Sequence, residues 1–182
     1  MDEAKAAVAA ARQAYGDDWE AHCDWRVYRS YAKMPGGIEA DSICAKVVAR
    51  GEGADVPLYT DSVKVHYSGR LLPSTSYAEG YIFDQSWQGE YNLSTMKPRT
   101  FAVSGVVKGF ATALQNMHIG DRWQVYIPHQ LAYGSSDTPG AAYSTLIFDI
   151  TLVGYFRKTS TAAAPSKDGA AQQQTAGYWV YE

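Results

Sequence analysis

Ser62 to Gly69 constrains the fold of this chain more than any other stretch. Val63, Val65 and Tyr67 alternate with Lys64, His66 and Ser68, the period of two that a half-buried β-strand requires. One face of this strand is apolar and the other wet, which predicts an antiparallel sheet with one covered side. The strand signal recurs along the chain. Ile43 to Arg50 reads as a strand closed by Gly51-Glu52-Gly53, and Thr100 to Ser104 as a short one. Arg122 to Ile127 alternates and stops at Pro128. Thr145 to Phe156 is a last strand, with Leu146, Phe148, Ile150 and Leu152 on one side. One convincing helix interrupts the strands, from Val107 to Met117. Phe110, Leu114 and Met117 share a face of it, and Gly120 lies just past its end. The predicted fold class is α+β, a curved antiparallel β-sheet wrapped over one short α-helix.

The flanks read differently. Residues 2 to 15 are Ala-rich, with Asp2 placed to cap a helix and Gly16 to stop it. Trp19, Cys23, Val27, Tyr31 and Met34, spaced by four, four, four and three, predict a second helix ended by Pro35-Gly36-Gly37. This part is expected to dock on the main domain or to help form a homodimer. Leu71 to Pro98 is long and irregular, holding Pro73, Gly80 and Gly89. A loop of that length in a compact domain is functional or carries short strands of its own. Residues 157 to 176 are polar and rich in Ala, Ser and Gln, a composition expected to be mobile. Tyr178 to Tyr181 is expected to dock as a short extra strand. The expected organisation is a helical N-terminal extension over 1–39, a main domain over 40–157 and a partly flexible tail over 158–182.

Composition narrows the function. The net charge is -3, and no Lys/Arg run or basic stripe offers a nucleic-acid footprint. No apolar stretch approaches the roughly 20 residues of a membrane span. Met1 is followed at once by Asp2-Glu3, without a basic n-region or apolar h-region. Cys23 and Cys44 fit no zinc spacing, and one disulfide or two ordinary thiols remain equal readings. His22, His66, His118 and His129 show no ligand spacing, so no metal is expected. Ser104-Gly105 lacks the preceding Gly of a nucleophile elbow. What stands out is aromatic: the chain has 14 Tyr, suited to half-buried strands and wet-edged pockets. Tyr67, Phe83, Asp84 and Tyr133 recur in a scheme of strand, turn and aromatic that predicts an apolar cleft with one buried carboxylate. Taken singly, Tyr67, Val107, Phe110 and Phe148 read as core residues, and Asp84 as a turn or cap carboxylate.

Taken in order, a set of short motifs favours the cleft. They are Val65-His66-Tyr67-Ser68-Gly69, Phe83-Asp84-Gln85-Ser86, Val106-Val107-Lys108-Gly109-Phe110, Met117-His118-Ile119-Gly120, Leu131-Ala132-Tyr133-Gly134 and Thr145-Leu146-Ile147-Phe148-Asp149-Ile150. Over about residues 40 to 156 the chain resembles the FKBP-type peptidyl-prolyl cis-trans isomerases. The Leu71 to Pro98 stretch and the helical N-terminal segment resemble the bacterial members. The resemblance implies an isomerase that speeds rotation about X-Pro bonds and assists folding, with no cofactor. It implies Tyr67, Asp84 and Tyr133 as catalytic residues and Phe83, Val106, Val107, Phe110 and Phe148 as substrate-binding ones. Phe110 stands where the family often has Trp. Val107 would offer its backbone N–H, and Tyr133 its hydroxyl, to carbonyls of the bound chain. The implied partners are proline-containing polypeptides and a macrolide inhibitor. Many bacterial members are exported or lipid-anchored, which implies the periplasm or envelope with the signal removed; the residues after Met1 alone read as cytoplasmic. The alternative function is a catalytically weak chaperone or protein-binding module of the same fold. Two departures bear on strength. Arg99 is charged near a position where the family often carries an aromatic or other apolar residue, and Ala141 and Ala142 thin the pocket lip, with Tyr143 expected to fill part of the gap.

Overall fold

The computed structural model describes residues 1–136, 142–159 and 176–181 of the chain. Ala141, half of the thinned lip, and most of the polar stretch before Tyr178 lie outside the described residues. Helix α1 (Asp2–Tyr15) ends where Gly16 takes a φ of 57°. Asp2 does not cap it. Met1 holds that position, and Asp2 and Glu3 sit inside the first turn, where negative charge suits the helix dipole. Val8 and Ala11 of α1 pack with Cys23 against Trp19, Trp25 and Val27.

The second expected helix is absent. Gly16–His22 forms a 3-10 turn, and Trp25–Arg29 is strand β1. A spacing of four is two strand periods as well as about one helical turn, so Cys23 and Val27 fit either template. The edge of β2 (Ser42–Ala49) decides between them. It offers a row of unpaired backbone groups, and β1 pairs with it from Trp25↔Lys46 to Arg29↔Ser42. Cys23 and Cys44 are buried free thiols.

The remaining elements follow in order: β3 (Ser62–Leu71), β4 (Ile82–Gln85), β5 (Arg99–Ala102), α2 (Lys108–Leu114), β6 (Arg122–Ile127), β7 (Leu146–Lys158) and β8 (Gly177–Val180). The strands form one open antiparallel sheet in the order β1-β2-β6-β7-β3-β4. β5 pairs with the first half of β3, and β8 with the far end of β7. The β8 pairing is the docking expected of Tyr178 to Tyr181. The long β3–β7 ladder, from Ser62↔Phe156 to Leu71↔Leu146, forms the spine.

Helix α2 lies in the concave face. Its Phe110 and Leu114, with Met117 just beyond, are buried among Val63, Val65, Ile127, Ile150 and Leu152. Each such side chain contributes about 1.5–3 kcal/mol by leaving water. Gly109 lets the helix approach β6, since a Cβ there would lie 2.3 Å from Cγ2 of Ile127. The outer face is drier than the alternation predicts: His66 is 3% exposed. The Leu71 to Pro98 stretch folds back over this side. The Tyr91 hydroxyl shares a 2.7 Å hydrogen bond with Thr151, the cross-strand neighbour of His66. The Arg122 guanidinium lies 3.7 Å over the Tyr91 ring, and it is held by two hydrogen bonds to Asp149.

Candidate active site

The site is organised around Gly69 of β3, which pairs with Phe148 of β7 on one side and Asp84 of β4 on the other. A Cβ on Gly69 would lie 2.6 Å from the Phe148 ring and 2.7 Å from the Phe83 ring. Glycine therefore lets both rings close over the strand. The β3–β4 register slips at the same place. Gly69 pairs with Asp84 but Arg70 pairs with Ile82, so Phe83 is the extra residue of a bulge. Consecutive residues of a regular strand point to opposite faces. The bulge re-aims them, and Phe83 and Asp84 line one cavity.

That cavity measures about 240 Å³ and is lined by Tyr67, Phe83, Asp84, Phe101, Gly105, Val106, Val107, Phe110, Tyr133 and Phe148. All eight residues selected from the sequence meet there. Six rings interlock around it in the order Phe101, Tyr67, Phe110, Phe148, Phe83, Tyr133. Successive centroids are 5.5, 6.2, 5.1, 5.7 and 6.3 Å apart. The interplanar angles run from 71° to 90°, the edge-to-face geometry that the ring quadrupoles favour. Sequence reasoning missed Phe101 and Gly105. Phe101 had a signal: it lies two residues from Arg99 on one strand, hence on the same face, and pairs with Val63.

The polar side of the cavity is a three-residue network. The Tyr67 hydroxyl donates to Oδ2 of Asp84. Arg99 Nη1 donates to the Tyr67 oxygen at 3.0 Å and to Asp84 Oδ1 at 3.3 Å. The Gln85 backbone N–H donates to the same Oδ1 at 2.9 Å. Tyr67 is further fixed by Ser86, whose Oγ accepts from its N–H at 2.9 Å and whose N–H donates to its carbonyl at 2.8 Å. Burial, then the bond to Asp84 and its charge, push the Tyr67 phenol well above the usual tyrosine range. Burial and the Asp84 charge raise that of Tyr133 as well. Both hydroxyls are therefore neutral donors at neutral pH.

The rim and the lip differ from what the sequence predicts. Asp84 is not a buried carboxylate: its side chain is 48% exposed. Arg99 reaches over from β5, its guanidinium 5.7 Å from the centre of the Tyr67 ring, and meets the carboxylate at the rim. Tyr143 does not fill the lip. It is 69% exposed at a φ of 54°, with its ring against His129, and Ala142 does not line the cavity either. Among the described residues, no three His, Cys, Asp or Glu side chains gather to hold a metal.

Residues 54–153 match the family model for FKBP-type peptidyl-prolyl cis-trans isomerases. The macrophage infectivity potentiator of Trypanosoma cruzi is 39% identical over 123 residues, covering 66% of this chain and 54% of the relative. The FKBP-type 22 kDa peptidyl-prolyl cis-trans isomerase of Escherichia coli is 36% identical over 110 residues, covering 59% of this chain and 47% of the relative. This chain thus spans about half the length of the curated relatives it matches. Among solved structures, a peptidyl-prolyl cis-trans isomerase from Pseudomonas syringae aligns with a TM-score of 0.50 and 28% identity, covering 81% of this chain and 92% of that one. FkpA from Escherichia coli aligns with the same score and identity, covering 83% of this chain and 62% of that one.

Proposed function

This chain belongs to the FKBP-type peptidyl-prolyl cis-trans isomerases, and from that premise we propose that it speeds cis/trans exchange at X-Pro bonds of polypeptides and so assists their folding. One observation carries the reading: a bulge, a glycine and six interlocked rings leave an apolar hollow of about 240 Å³ with Tyr133 and Val107 among its lining residues.

The chemistry needs no nucleophile. An X-Pro bond prefers trans only slightly yet exchanges in tens to hundreds of seconds, because rotation breaks amide resonance at a cost of about 18–20 kcal/mol. A twisted amide has a more single-bonded C–N and a less polarised carbonyl. It therefore loses less than the planar amide on leaving water, and an apolar pocket favours it by the difference. A gain of about 8 kcal/mol corresponds to roughly 10⁶-fold acceleration.

In this reading Phe83, Phe110 and Phe148 wall the proline ring, with Val106 and Val107 beside it. The Tyr133 hydroxyl and the Val107 N–H fix flanking carbonyls. The N–H groups at the start of α2 are among those a helix leaves without intrahelical partners. Asp84 orients the Tyr67 hydroxyl and keeps it a donor. The activity is assigned to residues 40–157, with 1–39 as an extension and 158–182 as a tail. An apolar macrolide is proposed as a competitor for the hollow. A homodimer through the N-terminal segment, which exposes Tyr15 and Ile38, is tested by light scattering.

The test of the activity is a protease-coupled or NMR assay on a short X-Pro peptide. Acceleration over buffer is expected, lowered by Tyr67→Ala and by Asp84→Leu. A wild-type rate equal to buffer rejects the proposal.

A further inference from the structure

A second cavity adjoins the first and shares a wall with it, since Val106 lines both. It measures about 320 Å³ against about 240 Å³ for its neighbour. It opens between α2, Tyr59 and the 3-10 turn Tyr31–Lys33 of the N-terminal segment. Tyr31, Ala32, Tyr59, Val106 and Ala111 make its apolar surface.

Its polar residues are largely engaged elsewhere. Thr112 Oγ1 donates to the Lys108 carbonyl at 2.8 Å, and Gln115 Nε2 to the Ala111 carbonyl at 3.0 Å. Groups already satisfied within their own helix make little demand on a ligand. What faces the space is two half-exposed rings, Tyr31 at 47% and Tyr59 at 56%, and Lys108 lines it as well. Tyr31 is tethered, because its hydroxyl donates to Asn116 Oδ1 at 3.2 Å and ties the N-terminal segment to the end of α2. A concave, mostly apolar surface flanked by aromatic rings is the usual composition of a recognition pocket.

The origin of the wall matters. The family match begins at residue 54, so Tyr31 and Ala32 come from outside the matched part. This cavity is built by the N-terminal segment laid against the domain.

Continuity with the first cavity identifies the occupant. A polypeptide held extended across the proline hollow repeats its side-chain direction every second residue, about 7 Å along. Val106 lines both cavities, so a chain that crosses it from the first hollow brings a later side chain toward the second. We infer that this groove is a specificity subsite that takes an aromatic or long aliphatic side chain two residues from the proline of the same polypeptide. The inference rests on the isomerase reading above and deepens it.

The experiment uses the full chain and a matched set of X-Pro peptides. Ala or Phe is placed two residues before, or two residues after, the proline, and exchange is followed by NMR. In the wild type, kcat/KM for the Phe peptide at one of the two positions is expected to exceed that for its Ala partner by about tenfold. Tyr31→Ala removes a wall and Ala32→Trp fills the space. Each is expected to bring that ratio close to unity, with thermal unfolding checking that both variants remain folded. Phe110→Ala, in the proline hollow, is expected to lower the rate on every peptide alike. A wild-type ratio near unity at both positions, or a preference that survives both variants, overturns the subsite and leaves the isomerase standing. No acceleration of any peptide overturns the isomerase reading, and the subsite with it.

Discussion

The floor of the ring-lined hollow and its rim are built on opposite principles. The floor is carbon held by carbon: Tyr67, Phe110 and Phe148 are each no more than 4% exposed and lock one another edge to face. The rim is charge held by hydrogen bonds, with Asp84 and Arg99 each about half in water. Packing at the floor is shared with the core of the whole sheet, so the hollow cannot change shape without cost to the fold. At the rim, Coulomb attraction is screened and an ion pair is worth little. Shape is thus expected to be rigid, while charge at the entrance is free to vary. Arg99, charged and half-exposed, belongs to the rim.

The largest effect should come from the floor. Phe110→Ala deletes a ring that touches both Tyr67 and Phe148. It should cost about 3–5 kcal/mol of stability in chemical denaturation and remove most of the isomerase rate. If the rate survives while stability falls, the ring is core alone and the comparison breaks. Gly69→Ala should come next. A methyl among the rings of Phe83 and Phe148 forces a shift worth about 1–3 kcal/mol, and peptide KM should rise with it. At the rim, Arg99→Leu should change stability by less than about 1 kcal/mol. It should also tighten an apolar macrolide by roughly tenfold through added apolar contact, measured by calorimetry. A stability loss as large as that of Phe110→Ala would put Arg99 in the floor.

The smallest effect concerns pH and lies away from both regions. Burial holds the His66 imidazole below its ordinary value of 6.5. The unfolded chain therefore binds a proton near pH 6.5 that the folded chain refuses until lower pH. Between the two values the unfolded state carries more protons, so stability falls as pH drops below about 6.5 and is at its full value above. His66→Phe should flatten that part of the stability–pH curve. An unchanged slope assigns it to other groups.

Much of this was legible from residue order, and the failures have local causes. Val63, Val65 and Tyr67 were read correctly as an inward row because a strand has one period and they keep it. The segment from Trp19 to Met34 was misread because its spacings of four, from Trp19 to Tyr31, satisfy both periods, and for Trp25–Arg29 the choice was made by a distant edge, β2. The eight pocket residues came from the ordered motifs. No periodicity could show why Phe83 and Asp84 face the same way, because a bulge is a property of two strands and not of one. The exposure of Asp84 escaped for the same kind of reason: Arg99 is fifteen residues away in sequence and beside it in space.

The central claim is that a water-poor hollow of rings favours a rotated prolyl amide. It is tested most directly by NMR exchange between the two isomers of one short X-Pro peptide, with wild-type protein and with Tyr67→Ala added at equal concentration. Exchange should be much faster with wild type than in buffer, and most of that gain should vanish with the variant. Equal rates in buffer and with wild-type protein, or an undiminished rate with Tyr67→Ala, would contradict it.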